Sequence, residues 1–128
     1  MNKTNTKARR NQVSHLLLPK VEGLPPIRRV HNDEDPVVHY RLFSPVGAAV
    51  WYVAAADKEV NRVSKYDDDF IMLVWADLAG DGVYGEWGHA SLRELENVRL
   101  PYGLRIERDR AFKPCRFSAT REGKAVSC

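Results

Sequence analysis

Residues 70–75, Phe-Ile-Met-Leu-Val-Trp, place six large apolar side chains in succession, and such a run can be satisfied in few ways. It is too short for a membrane span, which needs ~18–20 apolar residues. It is bounded by Asp67-Asp68-Asp69 on one side and by Asp77-Leu78-Ala79-Gly80-Asp81-Gly82 on the other. That pattern predicts a central strand buried on both faces, ending in a tight turn. The Asp81-Gly82 step tolerates positive φ and predicts a hairpin, with Val83–His89 returning as the next strand. Ser91-Leu92-Arg93-Glu94 has capping-box spacing, in which Ser91 accepts from the Glu94 backbone and the Glu94 carboxylate reaches back. Leu92, Leu95 and Val98 then lay a helical stripe on the sheet, and Pro101 and Gly103 end it.

The flanking segments supply the rest of the sheet. Val37–Phe43 and Ala48–Ala56 are rich in β-branched and aromatic residues, and Ser44-Pro45-Val46-Gly47 between them predicts another hairpin. Trp51 and Tyr52 must face opposite sides of it. Val13–Leu18 predicts a short helix ended by Pro19. Gly23, Pro25 and Pro26 predict an extended connector that lays Leu24, Ile27 and Val30 over the core. Asn32–Pro36 predicts a solvated turn, and Asp57–Asp69 a polar loop. Leu104–Glu107 alternates apolar and charged residues, as an edge strand would, while Pro114 argues against regular structure in Asp109–Phe117. The 128 residues suffice for one domain. The expected organisation is a flexible basic arm at residues 1–12, a single domain over 13–118 and a flexible tail at 119–128. The expected class is α+β, a small antiparallel sheet of about four to six strands with one or two packed helices.

Net charge +3 conceals a segregated layout. Residues 1–30 carry seven Lys/Arg against one acid, residues 31–96 five against thirteen, and residues 97–128 eight against three. Two basic ends thus flank an acidic middle, an arrangement that speaks to partners rather than to fold. The N-terminal basic residues are followed by no apolar stretch of the kind a secretory signal needs. Two cysteines, Cys115 and Cys128, are too few for a disulfide scaffold, which suggests a reducing cytoplasm.

The chemistry-bearing residues form no catalytic pattern. There is no Gly-x-Ser-x-Gly elbow, and Cys115 beside Arg116 is read as a bystander thiol. His39 and His89 fall on different predicted strands, away from a shared metal with Asp77 or Glu86. Asp77, Asp81 and Glu86 lack the ligand spacing of a calcium loop. No Gly-x-x-x-x-Gly-Lys is present to cradle phosphate. Glu86 and Glu94 could pair as general acid and base, but Glu94 is better explained by its cap. The expectation is a protein without catalytic, cofactor or metal residues.

From about Leu16 to Phe117 the chain resembles a bacterial family of unassigned function met in plasmids, integrative elements and phages. The resemblance rests on LLLPKVEGLPPI, DPVVHYRLFSP, the Trp-Tyr of AVWYV, FIMLVWADL, EWGHASLRELENV and YGLRIERD. Trp87, His89 and Leu73-Val74 depart from its usual residues. It implies a compact α+β domain in a mobile-element setting and supplies no mechanism. The expected function is a non-enzymatic inhibitor of anti-CRISPR or anti-restriction type, docking on a host protein or protein–nucleic-acid complex. The alternative is a nucleic-acid-binding accessory protein using the basic termini on phosphates. Expected contact residues are Lys3, Lys7, Arg9, Arg10, Arg28 and Arg29 from the first basic block, and Asp67 and Asp68 from the acidic middle. Arg105, Arg108 and Arg110 come from the second basic block, and Trp87 is a candidate aromatic anchor. No membrane partner is expected.

Overall fold

In the computed structural model, which describes residues 16–60, 64–80 and 84–126, the apolar run becomes part of a strand, Phe70–Asp77. In chain order the strands are β1 (Val37–Val38), β2 (Tyr40–Phe43), β3 (Val50–Lys58), β4 (Phe70–Asp77), β5 (Glu86–Ser91), β6 (Glu107–Arg108) and β7 (Cys115–Arg116). The helices are α1 (Ile27–Val30), α2 (Leu92–Glu96) and α3 (Arg121–Val126). The architecture is α+β: a five-stranded antiparallel sheet in the order β5-β4-β3-β2-β6, plus a two-stranded pairing of β1 with β7.

The central strand is therefore β3, with β4 beside it, a correction to the expected placement. β3 is buried from Val50 to Ala56. Trp51 and Val53 pack on one face with Leu42, Met72, Val74 and Leu92. Tyr52 and Ala54 pack on the other with Val38, Leu73, Trp75 and Phe117. A bulge between Val53 and Ala55 inserts one residue, so Ala56 returns to the Trp51 face despite its even number. Both hairpins form as expected, with Phe43 opposite Val50 and Trp75 opposite Trp87. The Asp81-Gly82 step lies outside the described residues. β5 begins at Glu86, later than the expected Val83.

Several local expectations fail because long-range packing overrides them. Val37–Phe43 splits at His39 into β1 and β2. Val38 joins the Tyr52 core whereas Tyr40 packs against the Trp51 core, and one regular strand would point both the same way. Leu16–Leu18 is not helical, and residues 13–15 lie outside the described residues. The prolines do not keep their connector extended: Pro26 caps α1, a role that needs no backbone N–H. Only Glu107–Arg108 of the last strand pairs with β2, and Leu104 is exposed. Asp109–Phe117 is not wholly irregular, since Cys115–Arg116 forms β7 after Pro114.

The expected flexible tail carries α3 over residues 121–126, with residues 127–128 outside the described part. Thr120 Oγ1 accepts from Gly123 N at 2.9 Å, an N-cap contact. A Cβ on Gly123 would come within 1.8 Å of the Phe117 carbonyl oxygen, so the turn into α3 requires glycine. The Tyr52 hydroxyl donates to Glu122, fastening α3 to the sheet. At the Asn32–Pro36 turn, Asp35 accepts from Ser118 N at 2.8 Å and from Ser118 Oγ at 2.6 Å. These two bonds, with the Arg116 charge nearby, hold the Asp35 carboxyl below its ordinary range. The turn thus anchors the 117–119 segment instead of being merely solvated.

Trp75 is 2% exposed and touches both Tyr52 and Phe117, at ring centroid distances of 6.2 and 5.0 Å. A Cβ on Gly85 would lie 2.0 Å from its ring. Trp75→Ala is expected to destabilise the fold by about 3–5 kcal/mol, and Gly85→Ala to lower stability as well. Urea melts followed by circular dichroism check both, and a near-neutral Trp75→Ala would contradict this packing.

Candidate functional site

Of the acidic run preceding β4, only Asp69 is built inward. Asp69 is 1% exposed, and its Oδ1 accepts from Phe70 N at 2.7 Å and Arg93 N at 3.0 Å. Its Oδ2 accepts from the hydroxyls of Ser64 and Ser91. Ser91 Oγ in turn accepts from Glu94 N at 3.1 Å, as the cap pattern predicts. Asp69, not Glu94, supplies the carboxylate at the start of α2, and the favourable end of the helix dipole adds to this. Asp77 is fully buried and accepts from Gly80 N at 2.9 Å.

A second chain of polar contacts runs from the loop to the β6 edge. Asp68, at positive φ of 59°, lies 3.1 Å from Lys58 and 4.0 Å from Arg93. Arg93 donates to Glu96 Oε1 at 2.8 Å, and Glu96 Oε2 accepts from Leu17 N at 3.0 Å. Glu96 is 0% exposed, so it tethers the segment entering the domain to α2. Arg105 donates to the Glu96 carbonyl at 3.1 Å, and Arg108 to the Leu17 carbonyl at 3.4 Å. Three expected contact residues (Asp68, Arg105 and Arg108) therefore have structural partners as well.

Beyond this network the surface at the β6 edge is grooved and basic. An open groove of about 520 Å³ is lined by Lys20, Arg108 and Arg110 with His39, Tyr40 and Phe112. A second, of about 330 Å³, shares Arg108 and Arg110 and adds Arg105, Leu16 and Leu104. A third, of about 600 Å³, shares Asp109 and Phe112 and adds Arg41, Lys113 and Arg121. Around the three stand Lys20, Arg41, Arg105, Arg108, Arg110, Lys113 and Arg121 against only Glu107 and Asp109. Asp109 pairs with Arg41 at 3.5 Å. Among the described residues Arg110, Lys113 and Arg121 enter no ion pair. Burial lowers the pKa of His39, so it faces the groove as a neutral ring at pH 7. Burial, reinforced by Glu122, pushes the Tyr52 hydroxyl up to about 12 and keeps it a neutral donor.

The other expected contact residues lie elsewhere. Lys3, Lys7, Arg9 and Arg10 are outside the described residues. Arg28 and Arg29 are exposed on α1, and Asp67 is exposed in the loop before β4. Trp87 is half-buried and packs edge-on against Phe117 at 5.3 Å, which makes it part of the core margin. Trp51 and Tyr52 are both buried, so neither is a surface anchor. Lys20, Lys113 and Arg121, which belong to the two basic blocks, and Tyr102 were not among the named contact residues. Tyr102 is 90% exposed, and the Pro101-Tyr102-Gly103 turn signal could have revealed it. Cys115 is half-buried, while the Arg116 guanidinium donates to the Asp35 carbonyl at 2.8 Å. Among the described residues no three His, Cys, Asp or Glu side chains group as metal ligands would. No helix of the described residues is long and apolar enough to cross a membrane.

Fold and surface together define an α+β protein of small size with a basic, grooved sheet edge. The chain belongs to the family described as protein of unknown function, DUF2958, whose model matches residues 10–120. No curated protein and no solved structure matches it significantly.

The two polar chains make separable predictions. Arg93→Ala leaves the buried Glu96 carboxylate with only the Leu17 N–H and no countercharge, and is expected to destabilise the fold by roughly 3–5 kcal/mol. Asp68→Ala removes the exposed Lys58 pair and a long 4.0 Å contact to Arg93, and is expected to cost less than about 1 kcal/mol. Equal losses in thermal melts would show that Asp68 is integral to the fold.

Proposed function

We propose that this protein is a non-enzymatic binding protein of a mobile genetic element that holds the phosphate backbone of nucleic acid along its β6 edge. The observation that carries this is the seven-to-two excess of bases over acids around three adjoining grooves. Basic groups that neutralise phosphates release the counterions condensed on the nucleic acid, and the gain is independent of sequence. The mobile-element setting rests on the motif resemblance, chiefly DPVVHYRLFSP and EWGHASLREL. A cytoplasmic location fits that setting and the two-cysteine composition.

One further observation favours a second reading. Exposed Asp67, Asp68 and Val60, with Glu59, surround a concavity of about 510 Å³ at the start of β4, where three acids stand against one base, Lys58. The lip lies at the Lys58–Phe70 end of β3 and β4, whereas β6 is level with Val50 and Trp51, so strand rise alone separates the two surfaces by ~20 Å or more. A surface with both signs suits an anti-defence inhibitor of anti-CRISPR or anti-restriction type, its acidic side occupying a host nuclease groove meant for nucleic acid.

Salt titration separates the two. Binding of a fluorescent 20-base-pair duplex is expected to weaken steeply with salt. The double variant Arg110→Ala/Lys113→Ala should flatten the slope of log K against log salt by about 1–2. Salt-independent or absent duplex binding, together with recovery of a nuclease complex on an affinity column of the protein, would favour the inhibitor reading instead.

A further inference from the structure

The grooves account for phosphate, but not for the aromatic residue that stands beside them. Tyr102 occupies a left-handed conformation, φ 65° and ψ 23°, that residues other than glycine rarely adopt. Nothing in the core requires it, since its side chain is 90% exposed. The turn that holds it is tight: Pro101 precedes it, Gly103 follows at φ 72°, and Leu100 N donates to the Leu104 carbonyl at 2.9 Å. Exposed aromatics held in unfavourable backbone geometry are more characteristic of sites than of scaffolds.

Tyr102 also stands at a particular place. Gly103, Leu104 and Arg105, the next three residues, line the groove shared with Arg108 and Arg110. Three residues span at most ~10 Å, so the Tyr102 backbone lies within that reach of Arg105, next to the lining residue Gly103. Arg105 and Arg108 are each held by a backbone carbonyl, which leaves the rest of each five-donor fork for phosphate. Fixed cations beside a presented ring are the components of a single-strand site: the groove follows the backbone and the ring stacks on a base. A continuous duplex keeps its base faces inside the stack, so the ring has no partner there.

We infer that the Tyr102–Arg110 rim is a binding site for single-stranded nucleic acid, with one base stacked on Tyr102 and the adjoining phosphates on Arg105, Arg108 and Arg110. This deepens the proposed function and rests on it for the phosphate contacts. The base contact is additional, and it distinguishes a single strand from a duplex.

The test compares three labelled probes at one salt concentration by fluorescence anisotropy. They are a 15-nucleotide oligo-dT, an abasic oligomer with the same backbone, and a closed dumbbell duplex that has no ends. Wild type is expected to hold oligo-dT roughly tenfold more tightly than the abasic strand. Tyr102→Gly should lower oligo-dT affinity to the abasic level, about 5–30-fold, and leave dumbbell binding unchanged. Tyr102→Phe keeps the ring and should retain the preference. Glycine adopts this backbone conformation readily, so Tyr102→Gly is expected to melt no lower than wild type, which removes misfolding as an explanation. Oligo-dT affinity unaltered in Tyr102→Gly, or an equal loss on all three probes, would overturn the inference. A wild type that binds all three probes equally would leave the phosphate reading standing and refute this one. A wild type that binds none would refute both.

Discussion

An antiparallel sheet can leave one face to water, but β3 and β4 present apolar side chains to both sides, so every other element is needed as cover. The chain has few helices for the purpose. One face is closed by Leu17, Leu18, Val21, α2 and Ile106, and the other by α1, Val38, Phe112, Phe117 and the segment leading into α3. These covers are too short to bury much by themselves. They are held by specific polar bonds instead: Glu96 to Leu17, Asp35 to Ser118, and Glu122 to Tyr52. The Glu96 bond is buried, the Glu122 bond partly so and the Asp35 bonds exposed, and hydrogen bonds to charged groups are among the stronger ones available to a small domain.

The same economy shapes the electrostatics. Asp69, Asp77 and Glu96 are spent inside the fold, where backbone N–H groups, hydroxyls and Arg93 satisfy them. Their charges are largely hidden from an approaching partner. The outward field at the β6 edge is therefore more positive than the net +3 of the chain suggests.

The parts legible in the sequence are those whose signals are local. The Ser44–Gly47 turn, the Ser91 cap and the Leu92–Leu95 part of the stripe each lie within a few residues, while the expected helix ends at Glu96, before Val98. The break at His39, strand β7 and helix α3 were not legible. Each depends on a partner far along the chain, such as Arg116 opposite Val37. Pro114 argued for irregularity, yet a proline just ahead of a two-residue edge pairing does no harm. Arg105, Arg108 and Arg110 could be named from charge alone. Their grouping with Lys20, Lys113 and Arg121 could not, because it follows from the folding of residues 109–121 back across β2 and β3.

The bond from Tyr52 to Glu122 bridges seventy residues, and its consequence concerns the order in which the molecule forms. The Trp51 side of the sheet can gather around the two hairpins and α2 early. The Tyr52 side has α1 and Val38 early but lacks Phe117 and α3 until residue 122 has been made, so during synthesis Tyr52 and Trp75 wait incompletely covered. A nascent chain of this kind passes through a state with one finished face and one adhesive face. Its hazard in the cell is the interval before α3 arrives.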